Sequence, residues 1–300
     1  MPRRELLTPA ERDGLLAFPA DESELIRLAT LCAADRTFIR QHRGHHNRLG
    51  IAVQMQYLRF PGRVLAPQER PHPGVLGILA AQLSVAPAAW DLYALRDETR
   101  REHLQELLRR LGKQQFTRAH YRPTVDALGP LALQSTQGIV LARALIERLR
   151  AHDVLIPSLR VVEQLCAAAL TRAQRLTFRR LTASLTLAHR AALDQLLIVP
   201  RGASISPLAW MRQAPGAPSA NVILQHLARL AAVRSVRLPA GIGRDVHQHR
   251  LLRLVREGAQ TAVFQLLDLE PQRRYATLVA ILIDTPRRRS PMRSSTCTSG

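Results

Sequence analysis

RTFIRQHRGHHNRLGIAVQMQYLRFPG, from Arg36 to Gly62, is the stretch that decides how this chain is read. Its first half is basic and free of acid: Arg36, Arg40, His42, Arg43, His45, His46, Asn47 and Arg48. Its second half places Leu49, Val53, Gln56, Tyr57 and Phe60 at helical spacing, until Pro61-Gly62 stops the run. The spacing predicts one short helix, a turn at Gly44, and a second helix that starts inside the basic cluster. That is the arrangement of a helix-turn-helix, in which the first turn of the second helix reads bases. Arginine bonds guanine bidentately and asparagine does the same for adenine. A helix N-terminus carrying Asn47 and Arg48 also suits a phosphate. An isolated cluster of this kind reads equally as a solvated basic face, so the rest of the chain has to arbitrate.

The whole-chain charge does so. Lys and Arg number 43 against 23 Asp and Glu, a net charge of +20, and every basic residue except Lys113 is arginine. A GC-rich genome explains why the base is arginine and not why acids fail to match it. Such an excess suits a phosphate backbone, because neutralising phosphates releases condensed counterions. Only 4% of the residues are aromatic, too few for the stacking faces of a single-strand binder. Double-stranded DNA is the expected partner.

Outward from this stretch the signals stay helical. Thr8-Pro9-Ala10-Glu11 is a capping box with proline at the first helical position, and Asp21-Glu22-Ser23-Glu24 repeats the device. Residues 8–60 read as four short helices. Pro67 to Pro73 lacks an apolar period and reads as a linker. Pro73, Asp97 and Thr117 each start a further helix, the last disturbed by Pro123 and Pro130, and Gly112 ends the one before it. Helices follow after Ser158, Thr186, Ser206, Ser219, Gly243 and Pro271. No stretch alternates convincingly as a strand. The expected fold class is all-α: consecutive small helical bundles with helix-turn-helix-like modules. The expected domains are 1–66 and 73–155, both DNA-binding, then a helical region over 156–285 for DNA binding or dimerisation. The tail 286–300, rich in arginine, serine and threonine, is expected to be disordered.

The candidate DNA contacts are Arg36, Arg40, His42, Arg43, His45, Asn47 and Arg48, with Arg59 and Arg63 beyond them. A second basic concentration supplies Arg100, Arg109, Arg110, Lys113, Arg118 and Arg122. Asp97, Glu98, Glu102 and Glu106 intervene in its first half and offset part of it through pairs such as Glu106–Arg110. The part from Arg109 to Arg122 is acid-free.

Other chemistry finds little footing. His42, His45 and His46 do not have the spacing of a zinc ligand set, and their neighbours are cations. Cys32, Cys166 and Cys297 form no disulfide framework, and Cys166 falls on an apolar helix face. No lysine-bearing phosphate loop, GxSxG elbow or carboxylate trio is assembled by the sequence. No catalytic residue, metal or cofactor is therefore expected, and no membrane span or secretion signal, which places the chain in the cytoplasm.

A resemblance sharpens this reading. Ile39-Arg40-Gln41-His42-Arg43-Gly44, continued through Asn47-Arg48-Leu49-Gly50-Ile51-Ala52-Val53-Gln54 and Tyr57-Leu58-Arg59-Phe60-Pro61-Gly62, resembles the N-terminal region of the transposases of Tn-three-type replicative transposons. So do Thr99 to Leu104, Leu165 to Ala173, Pro215 to Pro218, Val246 to Leu254 and Glu270 to Leu278. The resemblance covers about residues 1–285. It implies helical modules that grip terminal inverted repeats in DNA transposition, followed in the family by a nuclease-like domain with an Asp-Asp-Glu trio and magnesium. No residue of that trio is carried over to this chain. The expectation is a DNA-binding transposase fragment, nucleoid-associated in a bacterium, that is not itself an enzyme. A homodimer or an intact transposase would be its further partners. The tail can be back-translated into a frame resembling the family, which suggests a frameshift. Truncation would also leave Leu278, Val279, Ile281 and Leu282 exposed. The alternative is a basic helical interaction or dimerisation protein without sequence-specific DNA binding.

Overall fold

A computed structural model describes residues 6–93, 97–213 and 219–288. Among these residues the protein is all-α: 69% of it is helical, and no strand occurs. The sole strand-like pairing among the described residues is an isolated parallel bridge between Gln114 and Val154.

The helices divide between two compact units. Unit 1 comprises 1–128 and 137–168, and unit 2 comprises 129–136 and 169–300. The first unit holds α1 (Pro9–Leu15), α2 (Glu22–Ala29), α3 (Ala33–Arg40), α4 (His45–Arg59), α5 (Pro73–Leu83), a 3-10 helix (Pro87–Leu92) and α6 (Asp97–Leu111). Helices α7 (Arg118–Gln134) and α9 (Leu159–Thr182) contribute residues to both units, and α8 (Gly138–Ala151) belongs to the first. The second continues with α10 (Leu187–Gln195), α11 (Pro207–Arg212), α12 (Ala220–Ser235), α13 (Gln248–Gln260), α14 (Val263–Leu267) and α15 (Pro271–Arg288).

Local signals start these helices as written. The Thr8 hydroxyl accepts from the Glu11 N–H at 3.2 Å, and the Glu11 carboxylate accepts from the Thr8 N–H at 2.8 Å. Asp21 accepts from Glu24 N–H at 2.8 Å. Ser206 and Ser219 cap α11 and α12 in the same way. These bonds satisfy amides that have no partner inside the helix.

Helix α4 is the axis of unit 1. Every residue from Leu49 to Leu58 is buried, so this helix has no solvent face along those ten residues. Around it pack Leu25 of α2, Phe38 and Ile39 of α3, Val75 and Leu79 of α5, and Leu107 of α6. Residues expected in successive modules, Leu58 and Leu79 for example, thus contribute to one core. Gly50 permits the closest approach in it: a Cβ there would lie 1.9 Å from the Tyr93 ring. The stretch around Pro67–Pro73 is tied down as well, since the Tyr57 hydroxyl accepts from the His72 N–H at 2.8 Å.

Three expectations need correction. Helix α7 is continuous through Pro123 and Pro130. Its buried positions Thr124, Val125, Leu128 and Ala132 continue past both, and that packing outweighs the lost amide donors. Leu278, Val279, Ile281 and Leu282 are not exposed; they are 0%, 0%, 8% and 1% accessible in the core of unit 2. Finally, α15 runs on to Arg288, beyond the expected boundary at 285. The rest of the tail, 289–300, lies outside the described residues, as do Arg96 and Pro215–Pro218.

Candidate nucleic-acid interface

The basic stretch forms a corner between α3 and α4. Gly44 makes the turn with φ of +82°, a backbone conformation that side-chain-bearing residues avoid. It sits at the N-cap of α4, whose first turn contains no acid. The positive end of the helix dipole and the cationic side chains therefore coincide.

Within the corner the expected contacts separate into two groups. The first faces inward. The Arg48 guanidinium donates to the carbonyls of His42 at 2.8 Å and Arg40 at 3.3 Å, closing the turn. The Asn47 amide donates to the Arg43 carbonyl at 3.0 Å. His42 is tucked in, with Nε2 3.0 Å from Glu106 and Nδ1 3.3 Å from the Phe38 carbonyl. Its ring meets that of His103 edge-on at 5.4 Å. Burial, with His42 beside it, pushes the His103 pKa down, and the Tyr93 hydroxyl lies 3.2 Å from His103 Nδ1. The second group faces outward. Arg36, Arg40, Arg43 and His45 are exposed, and among the described residues no side chain pairs with theirs.

Beyond the corner the expected contacts mostly serve the fold. Arg59 grips Asp35 through two bonds of 2.8 Å. Asp35 is 2% exposed, and the bonds from Arg59 hold its carboxyl at a pKa of about 2. Arg110 donates to the Ala34 carbonyl at 3.0 Å and lies 4.4 Å from the Phe38 ring centre. Arg63 chelates Glu69, whose pKa falls as a result. Arg100 donates to the Leu65 carbonyl, and Lys113 lies 3.3 Å from Asp153. Arg109 is exposed and, among the described residues, bonds only its own helix, at the Gln105 carbonyl. Arg118 and Arg122 form a separate exposed pair one turn apart on α7.

Several arginines outside these stretches have roles that the sequence reading missed. Arg150 donates to the Pro61 carbonyl at 2.8 Å and 3.1 Å, and its pKa is lowered by burial. Arg229, 2% exposed, donates to Gln213 and lies 5.5 Å from the Trp210 ring centre. The apolar neighbours of such residues were the available signal, because arginine stems pack like hydrocarbon. Cys166 behaves as the apolar reading had it: it is buried, and burial pushes its thiol up to about 12. Among the described residues no group of three or more histidines, cysteines and carboxylates could hold a metal ion. None of the described helices is long and apolar enough to cross a membrane.

Fold and surface together define a helical protein that presents clustered guanidinium groups at a rigid helix corner. The chain belongs to the family described as domain of unknown function DUF4158, whose model matches residues 6–169. It is also similar to transposases of the Tn3 family. The transposase for transposon Tn3926 of Escherichia coli is 48% identical over 284 residues, covering 95% of this chain and 29% of that protein. The transposase for transposon Tn501 of Pseudomonas aeruginosa is 44% identical, over 95% of this chain and 29% of its own length. That for transposon Tn1546 of Enterococcus faecium is 29% identical, with coverage of 93% and 28%. The chain thus spans less than a third of these relatives, and the match falls in their N-terminal part.

Proposed function

We propose that this chain binds double-stranded DNA at the terminal inverted repeats of a transposon, using the α3–α4 corner as its first contact. The observation that carries the reading is the outward group of Arg36, Arg40, Arg43 and His45. They surround an acid-free helix start and have no described partner to neutralise them. Phosphates would lie against Arg36, Arg40 and Arg43 and against the first-turn amides of α4. Base contact would be limited to that first turn, since α4 is buried from Leu49 to Leu58. Arg118 and Arg122 of α7, with Arg109, would add phosphate contacts. The relatives' names as transposases support DNA as the partner. In this reading strand transfer belongs to parts of the relatives outside the matched share, and the residues of this chain act at the nucleoid as an end-recognition module.

A band-shift with inverted-repeat duplex and a scrambled competitor tests this. Replacing Arg36, Arg40 and Arg43 by Gln should weaken binding and lower the slope of log affinity against log salt by about 2.7. Unchanged affinity and slope would remove the corner from the interface. Equal affinity for scrambled DNA would remove end recognition.

A second reading, a helical interaction protein, is favoured by α12. Ile223, Leu224 and Leu227 are 62%, 63% and 57% exposed there, within a helical repeat of apolar positions. Concentration-dependent sedimentation that Leu227→Asp abolishes would support self-association through this face.

A further inference from the structure

Helix α13 holds a buried cation, Arg250, against a cavity. The residue is 6% exposed. Its guanidinium donates to the main-chain carbonyl of Ala132 on α7, and its Nε has no hydrogen-bond acceptor among the described residues. Beside it lies a cavity of about 20 Å³. Gln174, Thr177 and Phe178 of α9 line one side, and Arg250, Arg253 and Glu257 of α13 line the other. All of these residues belong to unit 2. The space admits one water-sized particle and excludes a nucleotide or a peptide.

The charges around this cavity do not balance. Glu257 lies 2.8 Å from Arg253 and 3.8 Å from Arg273 of α15, so one carboxylate already serves two guanidinium groups. Arg250 is a third cation. The elements around it bring no further acid: α9 has none after Glu163, segment 129–136 has none, and α13 has Glu257 alone. Burial, with Arg253 beside it, pushes the Arg250 pKa down, yet arginine keeps its proton in proteins. A buried charge is costly unless it is paired. A water molecule would give Nε an acceptor and leave the charge unanswered. A small anion would do both.

We propose that this cavity binds one monatomic anion of chloride's size, held by the Arg250 and Arg253 guanidinium groups and the Gln174 amide. The site does not depend on the reading of the chain as a DNA binder. Its role is structural: the anion neutralises the cation that ties α13 to Ala132, and so completes the packing of α9 on α13. Because only the folded unit assembles these donors, the anion stabilises it by mass action.

The test follows thermal unfolding of the full chain as sodium chloride replaces sodium isethionate, an anion too large to enter, at constant ionic strength. The midpoint should rise saturably by about 2–4 °C once chloride is about tenfold above its dissociation constant, and bromide should act in the same way. Gln174→Glu places a carboxylate at the cavity wall. It should raise the midpoint without chloride and abolish the further rise, whereas a general salt effect would act equally on both proteins. A wild-type midpoint indifferent to chloride overturns the proposal, and so does a full chloride response in Gln174→Glu. A measurement on the wild-type chain alone keeps the question open to refutation if that variant fails to fold. Anomalous diffraction from a crystal soaked in sodium bromide should place a peak beside Arg250 Nε, and the lack of a peak there overturns the site.

Discussion

Asp35 is the residue on which the corner's stability turns. It accepts two bonds from Arg59 and has Arg110 3.8 Å away. Its carboxyl is held at about 2 against an ordinary 3.8. A depressed folded-state value contributes stability that is present above the unfolded value and lost as pH falls through the folded one. The contribution is about 2 kcal/mol, and it should disappear between roughly pH 4 and pH 2. Asp35→Asn should flatten that part of the urea-unfolding stability curve and cost about 2–4 kcal/mol at neutral pH, because Arg59 and Arg110 lose their counter-charge. A flat acid limb in the wild-type chain would contradict this. Gly50 gives a second expectation. Gly50→Ala pushes a methyl into the Tyr93 ring and should cost at least about 2 kcal/mol. A Tyr93→Leu partner change should recover part of the loss in a double-mutant cycle. Neither role was legible in the sequence. Partners 24 and 43 positions away set both.

At the scale of the element, the sequence was most informative about where helices begin. Thr8, Asp21, Thr186, Ser206 and Ser219 all accept from the amides that their positions predict. Caps are local chemistry, so they survive without knowledge of the fold. Prolines misled, because Pro123 and Pro130 act against a buried stripe whose strength only packing reveals. The basic corner was legible as a place and less so as a set of roles. Arg40 and Arg48 look alike in sequence, yet Arg40 is free in solvent and Arg48 ties two carbonyls. Arg48→Ala should therefore cost about 1–3 kcal/mol of stability, whereas Arg40→Ala should stay within about 0.5 kcal/mol. Chemical denaturation distinguishes them, and equal losses would show that the turn is not held by Arg48.

For the whole molecule, the net charge was legible in the sequence and its distribution was not. Much of the +20 excess surrounds acids or carbonyls inside the fold, as Arg59, Arg63, Arg100, Arg150 and Arg229 show. Part of what remains outward is grouped: Arg36, Arg40 and Arg43, then Arg118 and Arg122. In the proposed reading these would make about five phosphate contacts, which should cut affinity by about 500-fold between 50 and 200 mM salt. A loss of only a few-fold in fluorescence anisotropy would mean that most of these arginines never meet DNA. The apolar pattern fared differently. Leu278 to Leu282 looked like surface left bare, and the structure buries them against α13 within unit 2. A stripe in sequence fixes that a face is covered and not what covers it.

The immersion of α4 from Leu49 to Leu58 has a thermodynamic corollary for whatever arrives at its first turn. A cradle bolted to the most shielded helix has already surrendered its conformational freedom during folding. Docking there should proceed with little change in heat capacity and take its driving force from ions returned to bulk solution rather than from newly ordered chain.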